Sequence, residues 1–137
     1  MPGRSTATKH GHQLKHRVVE IATKLGLLAE TEVPVGRRIW GAKRRIDVVI
    51  RKPDSDKILG IECKYQGTPG TTEEKLAIVL EDIKHWPIPG IVVIDGEGFS
   101  EKMRGYLTAS GKVIEFSDLE EWLKLFFLIF NNATSQK

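Results

Sequence analysis

The sequence predicts an α/β fold in which helices flank a small mixed β-sheet. Three observations support this prediction: a helical apolar pattern opens the chain, a β-hairpin pattern follows it, and an unbroken apolar strand comes after a second helix. A strand that follows a helix is most simply placed parallel to the strand before that helix, through a right-handed crossover. The hairpin supplies antiparallel neighbours, so the sheet is predicted to be mixed.

The length of 137 residues predicts one domain, with polar tails at residues 1–8 and 131–137 that we expect to be disordered. No apolar run reaches the length of a membrane span, so no membrane partner is expected. The N-terminus lacks the apolar segment of a signal peptide, and a single cysteine excludes an internal disulfide. These features predict a cytoplasmic protein.

The first elements are a helix and a strand. Apolar residues recur at helical spacing from Lys9 to about Leu25, and Gly26 follows as a C-terminal stop. A first strand, EVPVGRRIW, is predicted over residues 32–40, and Arg44 opens the second strand after a short turn.

The centre of the sequence predicts a β-hairpin. Two apolar runs, residues 46–50 and 58–61, flank a polar turn of Pro, Asp and Ser at residues 53–56. Folding the chain about the middle of that turn places Asp47 opposite Glu62. Opposed residues on one face of a sheet have Cβ atoms about 5 Å apart.

The two opposed carboxylates need positive charge between them. Asp47 and Glu62 stand among Val and Ile, where carboxylates repel each other and are costly to desolvate. Lys64 follows Glu62 by two residues and therefore shares its face. Two carboxylates and a lysine on one face of a hairpin indicate a divalent-cation site with a cationic helper.

The rest of the chain completes the sheet. The run GIVVID has the unbroken apolar character of a buried strand. The predicted elements are a helix that begins after Thr72 and runs to about His85, a strand over 90–95, a short helix over 100–109, a short strand over 111–116, and a C-terminal helix capped by Ser117-Asp118 that runs to about Phe130.

An Asp on one strand followed by Glu-x-Lys on the next resembles the PD-(D/E)XK nuclease superfamily. The matching residues are Asp47 and Glu62-Cys63-Lys64, and the pattern departs from the family at Ile46, where the family has Pro. The resemblance implies a restriction-endonuclease-like fold with an αβββαβ core, to which this chain adds a C-terminal strand and helix. It also implies a Mg²⁺- or Mn²⁺-dependent deoxyribonuclease that hydrolyses phosphodiester bonds in DNA.

The resemblance assigns a role to each matching residue. Asp47 and Glu62, with the backbone carbonyl of Cys63, would hold the metal, because Mg²⁺ takes oxygen ligands and keeps several waters. Lys64 would orient the attacking water or stabilise the developing charge.

Two further residues are candidates for the catalytic site. Gln66 continues the face of Glu62 and Lys64 at the two-residue period. Glu20 lies on the first helix, from which several branches of the superfamily bring a Glu to the metal. An ordinary surface glutamate is an equally good interpretation of Glu20.

The positive charge is concentrated in the first third of the chain. Residues 1–45 contain ten Lys or Arg and three Glu, whereas the remainder contains eleven Lys or Arg and fifteen Asp or Glu. A basic region beside a carboxylate site is expected where a polyanion is bound. We predict DNA phosphate contacts for the cations around the first strand pair, which are Arg37, Arg38, Lys43, Arg44 and Arg45.

Cleavage of both strands of a duplex would require more than one such site, so we expect a homodimer or a partner subunit. The apolar excess at residues 126–130 offers a dimer surface. The sequence leaves open a structure-selective nuclease, such as a Holliday-junction resolvase, instead of a restriction or homing endonuclease. A non-catalytic DNA-binding domain of the same fold and an interaction subunit of a larger complex also remain open.

Overall fold

The computed structural model describes residues 2–37, 43–67 and 73–130. The helices and strands, in chain order, are α1 (Pro2–Lys24), β1 (Leu28–Arg37), β2 (Lys43–Arg51), β3 (Ile58–Tyr65), α2 (Glu73–Ile83), β4 (Gly90–Asp95), α3 (Glu101–Thr108), β5 (Val113–Glu115) and α4 (Phe116–Phe126). The order from α1 to β4 is the predicted αβββαβ core. None of the described helices combines the length and the apolar character that crossing a membrane requires.

The described strands form one five-stranded sheet in the order β1-β2-β3-β4-β5. The pairs β1–β2 and β2–β3 are antiparallel, and the pairs β3–β4 and β4–β5 are parallel. Helix α2 connects the first parallel pair and α3 connects the second, as parallel neighbours require. The predicted mixed α/β sheet is therefore confirmed.

The two faces of the sheet are covered by different helices. Leu14 and Val18 of α1 and Leu119 of α4 are fully buried against one face, together with Ile61 of β3. The other face packs residues of α2 and of the following segments around Val92 of β4. Both faces of the central strands are thus removed from water, which explains their nearly unbroken apolar sequences.

Two glycines let Trp86 pack directly on the sheet. A Cβ atom at Gly60 of β3 would lie 2.7 Å from Trp86 Cζ3, and one at Gly90 of β4 would overlap the same ring. Trp86 Nε1 donates to Asp82 Oδ2 at 3.3 Å, which anchors the ring to α2. The paired glycines therefore fix the distance between α2 and the sheet.

Some predicted boundaries are wrong. Helix α1 begins at Pro2 and not at Lys9, so residues 2–8, expected to be disordered, are helical. Proline is well suited to the first position of a helix, because its missing N–H has no partner to lose there. Strand β1 begins at Leu28, earlier than the predicted residue 32. Residues 131–137, the second predicted tail, lie outside the described residues.

The predicted cap of α4 is also wrong. The helix begins at Phe116, and the N-cap position is occupied by Glu115 with φ −73° and ψ 143° and no side-chain cap hydrogen bond. Asp118 lies in the first turn instead, where a carboxylate stabilises the positive end of the helix dipole.

Candidate active site

The β2–β3 hairpin has the predicted register. The paired residues are Val48–Ile61, Val49–Gly60, Ile50–Leu59 and Arg51–Ile58. One further step of this register places Asp47 opposite Glu62, as folding about the turn predicts. The regular pairing ends at Val48 and Ile61, however, so the two acidic residues lie where β2 and β3 separate.

The turn residues set this register. Lys52 N donates to Lys57 O at 3.3 Å and closes the loop. Within it, Asp54 has a φ of 60°, and Ser55 Oγ accepts a hydrogen bond from Lys57 N at 3.1 Å. Short polar side chains that tolerate left-handed backbone or bond to nearby N–H groups favour such turns.

The Asp47 carboxylate takes over the hydrogen bonding where the ladder ends. Its Oδ2 accepts a hydrogen bond from the backbone N–H of Cys63 at 2.8 Å. The backbone N–H groups of a strand lie in the plane of the sheet and point toward a neighbouring strand. This bond therefore draws the carboxylate toward the gap between β2 and β3. The hydrogen bond also fixes the orientation of the carboxylate.

The side-chain alternation along β2 breaks at the same position. Val48 and Ile50 pack in the core under α1 and α4, as regular alternation requires. Ile46 and Val49 both pack in the opposite core, although strict alternation would put them on different faces. The prediction that Asp47 simply shares the face of Glu62 and Lys64 is therefore replaced by a position at the break in the sheet.

Strand β1 is irregular at the same level. Thr31 pairs with Val48 and Val33 pairs with Ile46, so Glu32 lies level with Asp47, between two regular pairs. Glu32 has a φ of 54°, in the left-handed region that residues other than glycine seldom adopt. Neighbouring strands thus depart from regular geometry around one point.

Glu62 and Lys64 extend the site along β3. Lys64 Nζ lies 3.8 Å from Glu62 Oε2, and the side chains are 42% and 14% exposed, respectively. Residues Cys63 and Tyr65 alternate with them and pack against the core under α1. Glu62 is therefore largely enclosed, while the Lys64 ammonium reaches solvent at the edge of the site.

Burial dominates the electrostatics of the site. It raises the pKa of Asp47, and the hydrogen bond from Cys63 and the charges of Lys15 and Lys64 act in the opposite direction. Burial also raises the pKa of the Cys63 thiol, with a further increase from Asp47 and Glu62. The thiol is therefore protonated at neutral pH and is a poor nucleophile, which leaves the main chain of Cys63 as the part available to the site.

Lys15 of α1 is the site residue that the sequence did not reveal. Its ammonium pairs with the Glu32 carboxylate and acts electrostatically on Asp47 and Cys63. Only 17% of its side chain is exposed. The one available signal is its position directly after Leu14, at the margin of the apolar stripe of α1, where a lysine usually extends to solvent.

Glu20 is not brought to the site. Leu14, Val18 and Ala22 form the buried stripe of α1. At helical periodicity Glu20 lies on the opposite side of the helix, and its side chain is exposed. The surface interpretation of Glu20 is the one that the structure supports.

Gln66 serves the fold at the edge of the site. Its side-chain Nε2 donates to Gly98 O at 3.2 Å, and its backbone carbonyl accepts a hydrogen bond from Gly98 N at 2.6 Å. Gly96, with a φ of 104°, lies so close that a Cβ atom there would overlap the Gln66 carbonyl. The side chain expected to contact metal water or phosphate instead fixes the turn after β4.

The residues of the predicted phosphate-binding cluster differ in their exposure to solvent. Arg45 is exposed, as expected. Arg44 is only 7% exposed, and its Nε lies 3.0 Å from Asp82 Oδ1 of α2, an ion-pair distance without hydrogen-bond geometry. The prediction that Arg44 contacts phosphate is therefore wrong, because its guanidinium is buried beside the Asp82 carboxylate. Arg38 and the side chains of Arg37 and Lys43 lie outside the described part.

The donor set fits a hard divalent cation. Asp47, Glu62 and the Cys63 carbonyl offer oxygen atoms, which Mg²⁺ and Mn²⁺ prefer. Among the residues that the structure describes, no group of three or more His, Cys, Asp and Glu side chains is arranged to hold a metal. A cation here would therefore complete its shell with water and substrate oxygens, as Mg²⁺ commonly does.

Comparisons with known proteins bear on the family and the fold of this chain. The model of a family described as a PD-(D/E)XK nuclease superfamily domain matches residues 6–126, which include Asp47, Glu62 and Lys64. A solved structure, "Crystal Structure of Protein of Unknown Function AF1548", is similar in fold, with a TM-score of 0.52 and 23% identity. The similarity covers 74% of this chain and 54% of that chain, so the chain spans about half the length of this neighbour. Among curated proteins, none matches.

Proposed function

This chain belongs to the PD-(D/E)XK nuclease superfamily, and we propose that it is a metal-dependent endonuclease that hydrolyses phosphodiester bonds in DNA. The observation that supports the proposal best is the position of Asp47. Its carboxylate is held by the Cys63 amide where β2 and β3 separate, beside the strand that carries Glu62, and the charge of Lys64 acts on it. Enclosing two carboxylates beside an irregular part of the sheet lowers the stability of the fold, and a purely structural role does not explain why they are there.

The carboxylates would hold Mg²⁺ or Mn²⁺. Asp47 and Glu62, with the Cys63 carbonyl, are the residues that would bind it, and the bound cation would supply a more acidic water and offset phosphate charge. The Cys63 amide fixes Asp47 before substrate arrives, and the strand backbone fixes Glu62. Such preorganisation is what electrostatic catalysis requires.

Lys64 is proposed to act on the water or on the reacting phosphate. Its ammonium is a hydrogen-bond donor on the strand that carries Glu62, and it is accessible to solvent. From this position it can orient the attacking oxygen and stabilise the negative charge that develops on the phosphoryl oxygens. Its role is therefore expected in the transition state more than in DNA binding.

The substrate is proposed to be DNA, drawn by the basic first third of the chain. Arg45 is exposed on β2, two residues before Asp47. Arg37, Arg38 and Lys43 are proposed to extend this surface, which would contact phosphates without reading bases.

Duplex cleavage is proposed to involve a homodimer or a partner subunit. Exposed apolar side chains surround the end of α4, and these are Leu125, Leu128 and Phe130. Three exposed large apolar side chains within six residues support a protein contact there. Sedimentation equilibrium over a range of protein concentrations tests self-association directly.

Digestion of supercoiled plasmid, linear duplex and branched DNA tests the proposed activity. Each substrate is incubated with Mg²⁺, with Mn²⁺ and with EDTA. We expect cleavage that EDTA abolishes and that the Glu62→Gln variant lacks, while the Lys84→Ala variant, altered at an exposed position in the turn after α2, retains it. Preference for branched DNA would identify a structure-selective nuclease, and binding of DNA without cleavage under any condition would overturn the catalytic proposal.

A further inference from the structure

We propose that Lys15 is the internal counter-ion of the carboxylate site, a fixed positive charge that offsets Asp47 in the metal-free protein and opposes the cation that binds there. The inference rests on the proposed function only in taking Asp47 and Glu62 as the cation site. It assigns a positioning role to a residue of α1 that lies outside the matched Asp and Glu-x-Lys pattern.

The position of Lys15 supports this role. The side chain reaches from α1 to Glu32 on β1, and it acts electrostatically on Asp47 and Cys63 at the gap between β2 and β3. Lysine is seldom enclosed unless it is paired. Lys15 is thus a fixed positive charge between the first helix and the irregular point of the sheet.

Glu32 fixes the lysine in that position. It lies level with Asp47 in the β1–β2 register, and its left-handed backbone sets the direction in which its carboxylate leaves the strand. Strained backbone persists where its surroundings impose it, and it is found preferentially at functional sites. The contact with Glu32 gives Lys15 a partner that does not depend on whether a cation is bound.

The arrangement has two opposite consequences. Without a cation, Lys15 offsets the charge of a buried carboxylate, so its removal destabilises the fold. With a cation bound, the ammonium and the metal repel each other near the same carboxylate, so its removal tightens metal binding. A lysine that only clamps α1 to β1 would produce the first effect without the second.

Titration calorimetry with Mn²⁺ alone, in the absence of DNA, tests the second consequence. For Lys15→Met we expect a dissociation constant for Mn²⁺ that is roughly tenfold lower than in wild type. The matched control is Lys24→Met, because Lys24 lies on the same helix and pairs with Glu120 at 3.1 Å on the surface. An unchanged or weaker affinity in Lys15→Met would overturn the proposal.

Glu32→Gln separates a counter-ion from a clamp. This variant removes a negative charge beside the site and leaves Lys15 to offset Asp47 alone, so we expect Mn²⁺ binding to weaken several-fold. Lys15→Met and Glu32→Gln therefore shift the affinity in opposite directions if Lys15 is a counter-ion. Weaker binding in both variants would show that only the clamp between α1 and β1 matters.

A double-mutant cycle in EDTA keeps the test independent of metal binding. We expect Lys15→Met to lower the melting temperature more in wild type than in the Asp47→Asn background, where the Asp47 charge is absent and only the Glu32 contact is lost. If wild type binds no Mn²⁺, the proposed nuclease function fails while this cycle still tests the counter-ion role. Additive effects of the two substitutions would overturn the counter-ion role.

Discussion

The β2–β3 hairpin consists of two halves that follow different rules. In the tip half, residues 48–51 pair with residues 58–61 in unbroken register, and apolar side chains fill both faces. In the site half, residues 44–47 and 62–65 are not paired with each other, and a carboxylate takes the hydrogen bond of a main-chain amide. The tip half buries apolar side chains. The site half instead keeps the Asp47 carboxyl at a position where burial disfavours its ionised form.

The difference shows how the sheet makes room for the proposed site. Regular pairing would use the main-chain oxygens that the proposed cation would need and would leave no gap between the strands. The site half avoids this by ending the ladder at Val48 and by placing Asp47 in the gap. The tip half then holds the two strands in register, so that the separated ends remain close.

The largest expected effect comes from removing Lys64 in the site half. We expect Lys64→Ala to lower the rate of DNA cleavage by at least about 100-fold, because in the proposed mechanism the ammonium acts mainly in the transition state. DNA affinity should change by no more than a few-fold, measured by fluorescence anisotropy in Ca²⁺. Lys57→Ala, at the tip end of the same hairpin, is the control and should retain the wild-type rate. Normal turnover of Lys64→Ala would remove this residue from the mechanism.

In the tip half the expected effect is on folding. Ile61 is fully buried, so Ile61→Ala should lower the free energy of unfolding by about 2–5 kcal/mol through lost packing and a cavity. Ile78→Ala, at a half-exposed position of α2, should change it by less than about 1 kcal/mol. Urea denaturation measures both values. Equal effects of the two substitutions would contradict the close packing of the tip half.

The sequence predicts the tip half well because local periodicity decides it. Two apolar runs and the polar turn between them are sufficient to define the register, which the structure shows from Val48–Ile61 to Arg51–Ile58. The unbroken apolar run of β4 likewise predicts a buried parallel strand, which the structure contains.

The site half is less predictable because its decisive contacts are non-local. Lys15 and its partner Glu32 are separated by 17 positions, and a lysine at the margin of an apolar stripe usually extends to solvent, as the surface residue Lys24 does. Arg44 has the sequence context of a basic cluster, but its partner Asp82 comes from a distant helix. The charge pattern of a sequence therefore shows where basic residues are concentrated. It does not show which of them form ion pairs inside the fold.

A smaller effect is expected from neutralising Asp47. Burial raises the pKa of this carboxyl above its unfolded value, so its ionised form reduces stability at neutral pH, and the loss disappears as pH falls below the unfolded value. Asp47→Asn should therefore have a melting temperature in EDTA at least equal to that of wild type at pH 7, with the difference vanishing near pH 3. Asn can still accept the Cys63 hydrogen bond, so the geometry is retained. A clearly lower melting temperature of Asp47→Asn at pH 7 would contradict the prediction that the buried Asp47 carboxylate lowers the stability of the wild type.

The smallest effect concerns the exposed arginine of the site half. If Arg45 contacts a phosphate, its removal leaves one condensed counterion less to release, and the slope of log affinity against log salt should decrease by roughly 0.9. Arg45→Ala should weaken all DNA sequences about equally, because phosphate contacts carry no base information. Arg51→Ala is the matched control, since Arg51 is exposed at the other end of the same strand, in the tip half. An equal loss of slope in both variants would place DNA along the whole of β2, whereas a loss in Arg51→Ala alone would move the DNA away from the carboxylate site.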